Sequence, residues 1–176
     1  MVFLLNTYRS LIKKAAAGDP QAFRTLYDRT HQKLFGYALA RMNDREDAID
    51  LLQEVYLDLW RALPAFEYRS DREFMAFVFL ILKRKLVHYY QKLHPTEALQ
   101  EDSATVATTD QLPDQYGLHA LLPKLRREYA EVLELRYWSD LKFDEIASVL
   151  QEKTSTIKTW HHRALQELDT LLQEYA

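Results

Sequence analysis

Glycine and proline are scarce in this chain of 176 residues, which has three glycines and five prolines. A β-sandwich or β-barrel needs many tight turns, and such turns depend on these two residues. The chain is also short for an α/β barrel with its usual loops. Hydrophobic residues make up 48% of the sequence, which is enough to build a core. We therefore predict an all-α fold with few breaks.

Charge divides the chain into three segments. Residues 1–94 hold fifteen Lys and Arg against eleven Asp and Glu, and residues 119–176 hold eight bases against ten acids. Between them, residues 95–118 hold five acids and no Lys or Arg, in a stretch rich in Thr, Ala, Asp and Gln. We therefore predict two small helical domains, 1–94 and 119–176, joined by an acidic flexible linker at 95–118.

Breaks in the hydrophobic pattern predict the helices. Gly18-Asp19-Pro20 ends a first helix and begins a second, with Asp19 as its cap and Pro20 at its first position. Two further helices are predicted in the first domain, over about 45–63 and 72–93. The second domain is predicted to hold helices over 121–137, 143–150 and 155–174, the last two in a helix-turn-helix layout.

Several classes of function are disfavoured by what the chain lacks. It has no cysteine, which rules out disulfides, thiolate zinc sites and cysteine nucleophiles. Its longest apolar run, Phe74 to Leu82, is about half a membrane span, and its start lacks the pattern of a secretory signal. The six histidines are scattered, so the sequence gives little support to an enzyme, a metal site or a cofactor. We expect a cytoplasmic protein without membrane insertion.

Four acids form a ridge along the helix predicted at 45–63. Asp47, Asp50, Glu54 and Asp58 follow one another at spacings of three or four residues, which places them on one helix face. Four like charges destabilise a helix unless a basic partner faces them, and no Glu-x-x-His spacing favours a di-metal site. We interpret the ridge, with the apolar edge beside it, as a protein-docking face. A solvated helix face is the alternative.

Aromatic and basic residues alternate between Phe66 and Lys92. Stacking surfaces beside cations suit the splayed bases of a single strand. Phe74, Phe77, Phe79 and Leu82 are predicted to lie mostly in the core. The candidate nucleic-acid contacts are Phe66, Tyr68, Arg69, Arg72, Lys83, Arg84, His88 and Lys92.

The end of the chain has the layout of a helix-turn-helix. The small Ala147 permits close crossing of two helices, and Ile157 is predicted to fill the gap between them. The first half of the last helix and the turn before it offer donors for phosphates and base edges: Lys153, Ser155, Thr156, Lys158, Thr159, His162 and Arg163. A plain three-helix bundle with a polar face is the alternative.

These three features, in this order, resemble the extracytoplasmic-function sigma factors of bacterial RNA polymerase, within the sigma-70 superfamily. The resemblance covers roughly residues 11–92 and 121–172. It is carried by the opening segment Ala16–Phe23, the polymerase-binding helix Asp47–Trp60, the entry to the −10 segment at Ala62–Phe66, and the −35-binding helix-turn-helix at Glu145–Ala147, Thr156–Lys158 and His162–Leu165.

The resemblance implies promoter-specific transcription initiation by a non-catalytic subunit. Core RNA polymerase would be contacted at its β′ coiled coil and β flap, and the polymerase-binding residues implied are Asp47, Asp50, Leu51, Gln53, Glu54, Asp58 and Trp60. The cluster from Phe66 to Lys92 would hold the −10 element of promoter DNA, and the last helix would bind the −35 element. An anti-sigma factor is implied as a further partner, with no cofactor, no metal and no catalytic residue.

The chain departs from the family at five positions. The family usually has Trp at the position of Phe77, Asn near Arg84, Asp near His88, and Gly followed by an apolar residue at Gln151 and Glu152. The promoter sequence therefore does not follow from the resemblance. Two alternatives stay open: a sigma-like module that sequesters an anti-sigma factor without binding DNA, and a stand-alone helix-turn-helix regulator.

Overall fold

A computed structural model describes residues 8–42, 44–93 and 121–174 of the chain. Within these ranges the regular structure is helical, as predicted, and two helical bodies are formed. The first body contains α1 (Tyr8–Ala16), α2 (Pro20–Leu39), α3 (Arg45–Ala62) and α4 (Asp71–Leu93), and the second contains α5 (Arg127–Leu133), α6 (Phe143–Leu150) and α7 (Thr154–Glu174). The all-α prediction with two small helical domains is confirmed. The predicted linker lies outside the described residues, and the domain limits 1–94, 95–118 and 119–176 stay predictions.

The second helix of the first body begins at its predicted cap. Asp19 accepts hydrogen bonds from the backbone N–H groups of Gln21 and Ala22, at 2.9 and 3.2 Å, and Pro20 takes the first position of α2. Gly18 ends the preceding turn with a φ of +91°, a conformation that side chains other than glycine rarely adopt. The cap satisfies N–H groups that have no partner inside the helix, so it sets where α2 starts.

The segment predicted as one helix over 121–137 is divided in the structure. A 3₁₀ turn at Leu122–Lys124 comes first, α5 begins at Arg127, and a π-helical segment follows at Glu134–Trp138. Pro123 has no N–H group and cannot extend an α-helical ladder through its position, which accounts for the late start of α5. Arg136 Nη1 donates a hydrogen bond of 2.8 Å to the carbonyl of Leu141 and ties the end of the π-helical segment to the loop before α6.

The two bodies share one hydrophobic core. The largest buried side chains of the first body include Tyr37, Phe74 and Phe79, and buried residues of the second body join the same cluster. These are Val132, Leu135, Leu141, Ile146, Ala147 and Ile157. A smaller cluster around Leu122, Leu133 and Ala164 lies within the second body, between α5 and α7. The close packing of α4 against α6 was not predicted.

Membrane spans and metal clusters are both absent from the described helices. None of them combines the length and the apolar character that crossing a bilayer requires. In residues 8–42, 44–93 and 121–174 no group of three or more His, Asp or Glu side chains could hold a metal ion.

Candidate functional site

The acidic ridge of α3 lies along the edge that faces α4. Lys85 bridges two members of the ridge, with Nζ 3.1 Å from Glu54 Oε2 and 2.9 Å from Asp58 Oδ2. The hydrogen bond to Asp58 is the main cause that raises the pKa of the Lys85 ammonium. Tyr89, one turn further along α4, donates a hydrogen bond of 2.6 Å to Asp47 Oδ2. Lys85 therefore supplies, from within the chain, much of the positive charge that four like charges on one helix face require.

Asp50 is the acid of the ridge that has no basic partner among the described residues. It is exposed and forms no ion pair with any described residue, and Gln53 on the next turn is exposed as well. Leu57 and Trp60 continue this outer edge of α3, with exposed fractions of 55% and 37%. Leu51, which belongs to the predicted polymerase-binding set, is buried in the core and packs behind the exposed edge of α3. The side chains that α3 offers to a partner are thus both acidic and apolar.

An aromatic groove of about 430 Å³ adjoins this edge, between α2 and α3. Trp60 packs edge-to-face on Phe23 with 4.9 Å between ring centroids, and Tyr27 stacks on His31 at 4.7 Å. Burial lowers the pKa of the His31 imidazole, against a smaller opposing effect of Asp28. The groove is also lined by Ile49, Leu52, Gln53, Tyr56 and Leu57.

The α2 side of the groove was missing from the predicted docking set. Phe23, Tyr27 and His31 follow one another at intervals of four residues, which places them on one helix face. That spacing was the signal available in the sequence. The spacing does not indicate which helix packs beside this face, and in the structure it is α3.

The aromatic part of the predicted −10 site is fixed by ring packing. Phe66 stacks on Phe77 with ring centroids 4.7 Å apart, and it meets Phe74 in a T-shaped contact at 5.8 Å. Phe74, Phe79 and Leu82 have no exposed surface, as predicted, whereas Phe77 is half-buried. Phe66 is therefore held against the first body just before α4 begins.

Arg84, His88 and Lys92 form an exposed basic stripe along α4. They recur every four residues, so they share one helix face. In the loop before the helix, the Tyr68 hydroxyl donates a hydrogen bond of 2.5 Å to Asp71 Oδ1, and this bond raises the pKa of the phenol. Arg69, beside Tyr68, is exposed. This part of the predicted −10 set is accessible, and we call it the open part.

The other two cations of the predicted −10 set contact the second body instead. Lys83 Nζ lies 2.7 Å from Glu131 Oε1, and Arg72 Nη1 lies 3.8 Å from Asp144 Oδ2. Glu131 belongs to α5 and Asp144 to the first turn of α6. The structure therefore divides the −10 set into an open part and a part that pairs with the second body, in which Lys83 is half-buried and Arg72 stays exposed.

The helix-turn-helix forms without a glycine in its turn. The backbone N–H of Lys142 donates to Glu145 Oε2 at 2.8 Å where α6 begins. Gln151 ends α6 in the left-handed conformation, with φ 56° and ψ 38°, and the N–H of Glu152 bonds the Ala147 carbonyl at 2.9 Å. A side chain in this conformation is disfavoured by contact between its Cβ and the backbone. The turn is closed by its hydrogen bonds rather than by glycine.

The predicted −35 set lies on the solvent side of α7 and the turn before it. Ile157 and Ala147 are buried between α6 and α7, which confirms their predicted role in helix crossing. Trp160 is half-buried and packs against both hydrophobic clusters. Thr156 is half-buried, and the remaining members of the set are exposed: Lys153, Ser155, Lys158, Thr159, His162 and Arg163.

Comparison with known protein families identifies both bodies. The family model for sigma-70 region 2 matches residues 26–95, and the model for sigma-70 region 4 matches residues 117–168. The chain belongs to the sigma-70 family, in its extracytoplasmic-function group. The region 2 match contains α3 and α4, and the region 4 match contains the helix-turn-helix of this sigma factor.

Curated relatives support the same family. The sigma factor is 28% identical over 175 residues to the ECF RNA polymerase sigma factor BldN of Streptomyces coelicolor, covering 94% of this chain and 66% of that protein. It is 29% identical over 154 residues to the RNA polymerase sigma factor YlaC of Bacillus subtilis, covering 81% of this chain and 87% of that protein.

The fold is similar to that of two solved complexes. CnrH, solved with the cytosolic domain of CnrY, superposes with a TM-score of 0.71 at 24% identity, covering 96% of this chain and 98% of that one. The sigma factor RpoE, solved with the anti-sigma factor NepR from Bartonella quintana, superposes with a TM-score of 0.62 at 21% identity, covering 86% and 96%.

Proposed function

We propose that this chain is a dissociable subunit of bacterial RNA polymerase that directs transcription initiation at specific promoters. The observation that supports it most is the order of two sigma-70 modules, each with an exposed surface of suitable chemistry. The edge of α3 offers acids and apolar side chains to a protein, whereas α4 and α7 offer cations to DNA. The bond-making chemistry belongs to the polymerase.

The outer edge of α3 and the aromatic groove form the proposed polymerase contact. Asp50 supplies a charge that no described residue pairs with, and Leu57 and Trp60 supply apolar surface beside it. An apolar anchor next to an unpaired charge is the usual composition of a binding hot spot and its rim. The ridge acids Glu54 and Asp58 contribute less in this proposal, because Lys85 already holds them.

The polymerase contact is tested by reversing its charge and removing its apolar anchor. The double variant Asp50→Lys, Leu57→Asp should lose binding to purified core polymerase in a pull-down, while its circular dichroism spectrum stays unchanged because both residues are exposed. Asp169→Lys, an exposed acid on α7, is the control and should bind as the unmodified chain does. Unchanged binding of the double variant would remove the proposed contact.

Run-off transcription separates the proposed function from its two alternatives. With core polymerase and a promoter library, a sigma factor gives discrete transcripts that depend on its presence. A sequestering module would bind its partners but give no transcript. A stand-alone regulator would bind a palindromic operator tightly without polymerase. The second body argues against the latter, because its acids outnumber its bases and non-specific DNA affinity comes from phosphate neutralisation.

An anti-sigma factor is the second proposed partner. RpoE, one of the two similar solved structures, is held by such a factor. The proposal places the anti-sigma factor on the same outer edge of α3, where it would compete with polymerase. Addition of core polymerase should then displace it from the chain in size-exclusion chromatography.

A further inference from the structure

One lysine of α4 contacts two acids of the ridge on α3 at once. Lys85 Nζ lies within hydrogen-bond distance of Glu54 Oε2 and of Asp58 Oδ2, and these two acids are one helical turn apart. The Lys85 side chain is 23% exposed, whereas the side chains of Glu54 and Asp58 are 59% and 39% exposed. The ammonium therefore lies on the α4 side of the ridge, and the two carboxylates stay accessible to a partner.

The end of the ridge near the start of α3 keeps its negative charge. Asp50 has no basic partner in the part of the chain that the structure describes, and Asp47 accepts a hydrogen bond of 2.6 Å from the Tyr89 hydroxyl. Burial, followed by the hydrogen bond to Asp47, raises the pKa of Tyr89, so this phenol is neutral. A neutral donor satisfies the Asp47 carboxylate without cancelling its charge, and this end carries two negative charges.

The other end of the ridge is close to neutral. Lys85 lies between Glu54 and Asp58, and Arg61 Nη1 lies 3.6 Å from Asp58 Oδ1. Because the Arg61 side chain is 74% exposed, water weakens its pair with Asp58, and Lys85 is the main counterion. A cation here also favours the helix, because Asp58 lies one turn before the C-terminal end of α3, where negative charge is unfavourable.

A basic partner that docks on α3 meets these two ends separately. Their centres lie about 11 Å apart along the helix axis, which exceeds the screening length of about 8 Å at physiological salt. A partner cation pairs with Asp50 without competition, whereas at Glu54 and Asp58 it competes with an ammonium that the fold already holds in place. The neutral end therefore offers mainly apolar contact, from the exposed Leu57.

We propose that Lys85 determines both the strength and the orientation of the polymerase contact. By neutralising Glu54 and Asp58, it directs the cations of the partner to Asp47 and Asp50 and keeps the affinity below that of an unpaired ridge. A dissociable subunit requires such a limit on its affinity. This inference rests on the proposed function, because it takes the outer edge of α3 to be the polymerase contact.

Replacing Lys85 by a neutral side chain tests the proposed limit on affinity. Lys85→Gln should bind purified core polymerase roughly threefold to tenfold more tightly, a gain that corresponds to two surface ion pairs. The Kd is measured by fluorescence anisotropy of the labelled full chain at two salt concentrations, and the gain should shrink at the higher one. Weaker or unchanged binding at low salt would overturn the proposal.

A double-mutant cycle tests whether Lys85 competes with the partner for the two acids. Glu54→Gln with Asp58→Asn should weaken polymerase binding more in the Lys85→Gln background than in the unmodified chain. The reason is that only without Lys85 are both acids free to pair directly with the partner. Equal effects in the two backgrounds would show that Lys85 does not compete for these acids.

Matched variants separate the loss of this ion pair from a change in net charge. Lys14→Gln makes the same substitution at an exposed lysine of α1 and should leave the Kd unchanged. Lys85→Arg keeps a cation between the two acids and should retain the affinity of the unmodified chain. If circular dichroism shows that Lys85→Gln fails to fold, Lys85→Met, which keeps the apolar stem, takes its place.

The same binding assay distinguishes failure of this inference from failure of the proposed function. If Asp50→Lys with Leu57→Asp abolishes polymerase binding but Lys85→Gln does not tighten it, Lys85 lacks the proposed role while the polymerase contact stands. If the double variant binds as the unmodified chain does, the polymerase contact is wrong, and the inference about Lys85 falls with it.

Discussion

Compared with the proposed −35 surface on α7, the proposed −10 surface on α4 is partly paired with the chain's own acids. Lys158 and Arg163 on α7 form no ion pair with any described residue, whereas Lys83 and Arg72 in the proposed −10 set pair with Glu131 and Asp144. The two surfaces have similar residue types, so composition does not distinguish them. What separates them is which face of each helix the other body contacts. Accessibility of a DNA-binding residue is thus a property of the packing.

The largest expected effect comes from removing the scaffold of the −35 surface. Ile157→Ala should lower the free energy of unfolding by about 2–5 kcal/mol, because Ile157 is fully buried between α6 and α7 and its loss leaves a cavity. Urea denaturation measures the change. Ser155→Ala, on the exposed side of the same helix, should stay within about 0.5 kcal/mol. Equal effects at the two positions would mean that α7 does not pack as described.

Removing two cations from the open −35 surface should weaken duplex binding. For Lys158→Ala with Arg163→Ala, we expect promoter affinity to fall and the slope of log K against log salt to drop by roughly 1.8, about 0.9 for each phosphate contact. Salt titrations of the polymerase complex provide the measurement. Lys13→Ala with Lys14→Ala, two exposed lysines on α1, is the charge-matched control and should leave the slope unchanged.

The open part of the −10 surface should show a smaller salt effect. Arg84→Ala with Lys92→Ala should reduce the slope by roughly 1.4, because contacts to a single strand each contribute about 0.7. The measurement is binding of a forked promoter probe by the same polymerase complex. A reduction matching that of the −35 pair would indicate that α4 contacts duplex rather than single-stranded DNA.

The smallest expected effect concerns the turn of the helix-turn-helix. Gln151→Gly should stabilise the fold by about 0.5–1 kcal/mol, because glycine adopts the left-handed conformation without contact from a Cβ. Thermal unfolding detects this as a rise in Tm. Glu152→Gly is the matched control: its φ is not positive, so glycine there only adds freedom to the unfolded chain and should lower the Tm.

Much of the local structure followed from the sequence because its causes are local. The Asp19 cap and Pro20 placed the start of α2, and the small Ala147 with Ile157 indicated the crossing of α6 and α7. The break before α5 was missed although Pro123 signalled it, because the apolar pattern continued across the proline. The π-helical segment that follows had no recognised signal in the sequence.

The candidate site was predictable as a set of residues but not as a set of accessible surfaces. The acidic ridge was recognised from its spacing, yet Lys85 binds two of its members and leaves Asp50 as the open charge. Likewise, the cations of α4 were recognised as a cluster. Nothing in their order indicated that Lys83 would pair with the second body while Arg84 would face the solvent. Side chains adjacent in sequence point to different faces of a helix, and the partner of each face is set by distant segments.

The sequence by itself determined most of the helices, the cap of α2, the two-module order and the chemistry of each module, because these depend on periodicity and on residues a few positions apart. The tertiary structure alone decided that the bodies share a core, that Gly36 meets Trp138, and that Lys83 pairs with Glu131, 48 residues away. Such contacts depend on how whole faces of apolar and charged side chains fit each other. This fit leaves no periodic pattern in the sequence, so it is visible only in the packed structure.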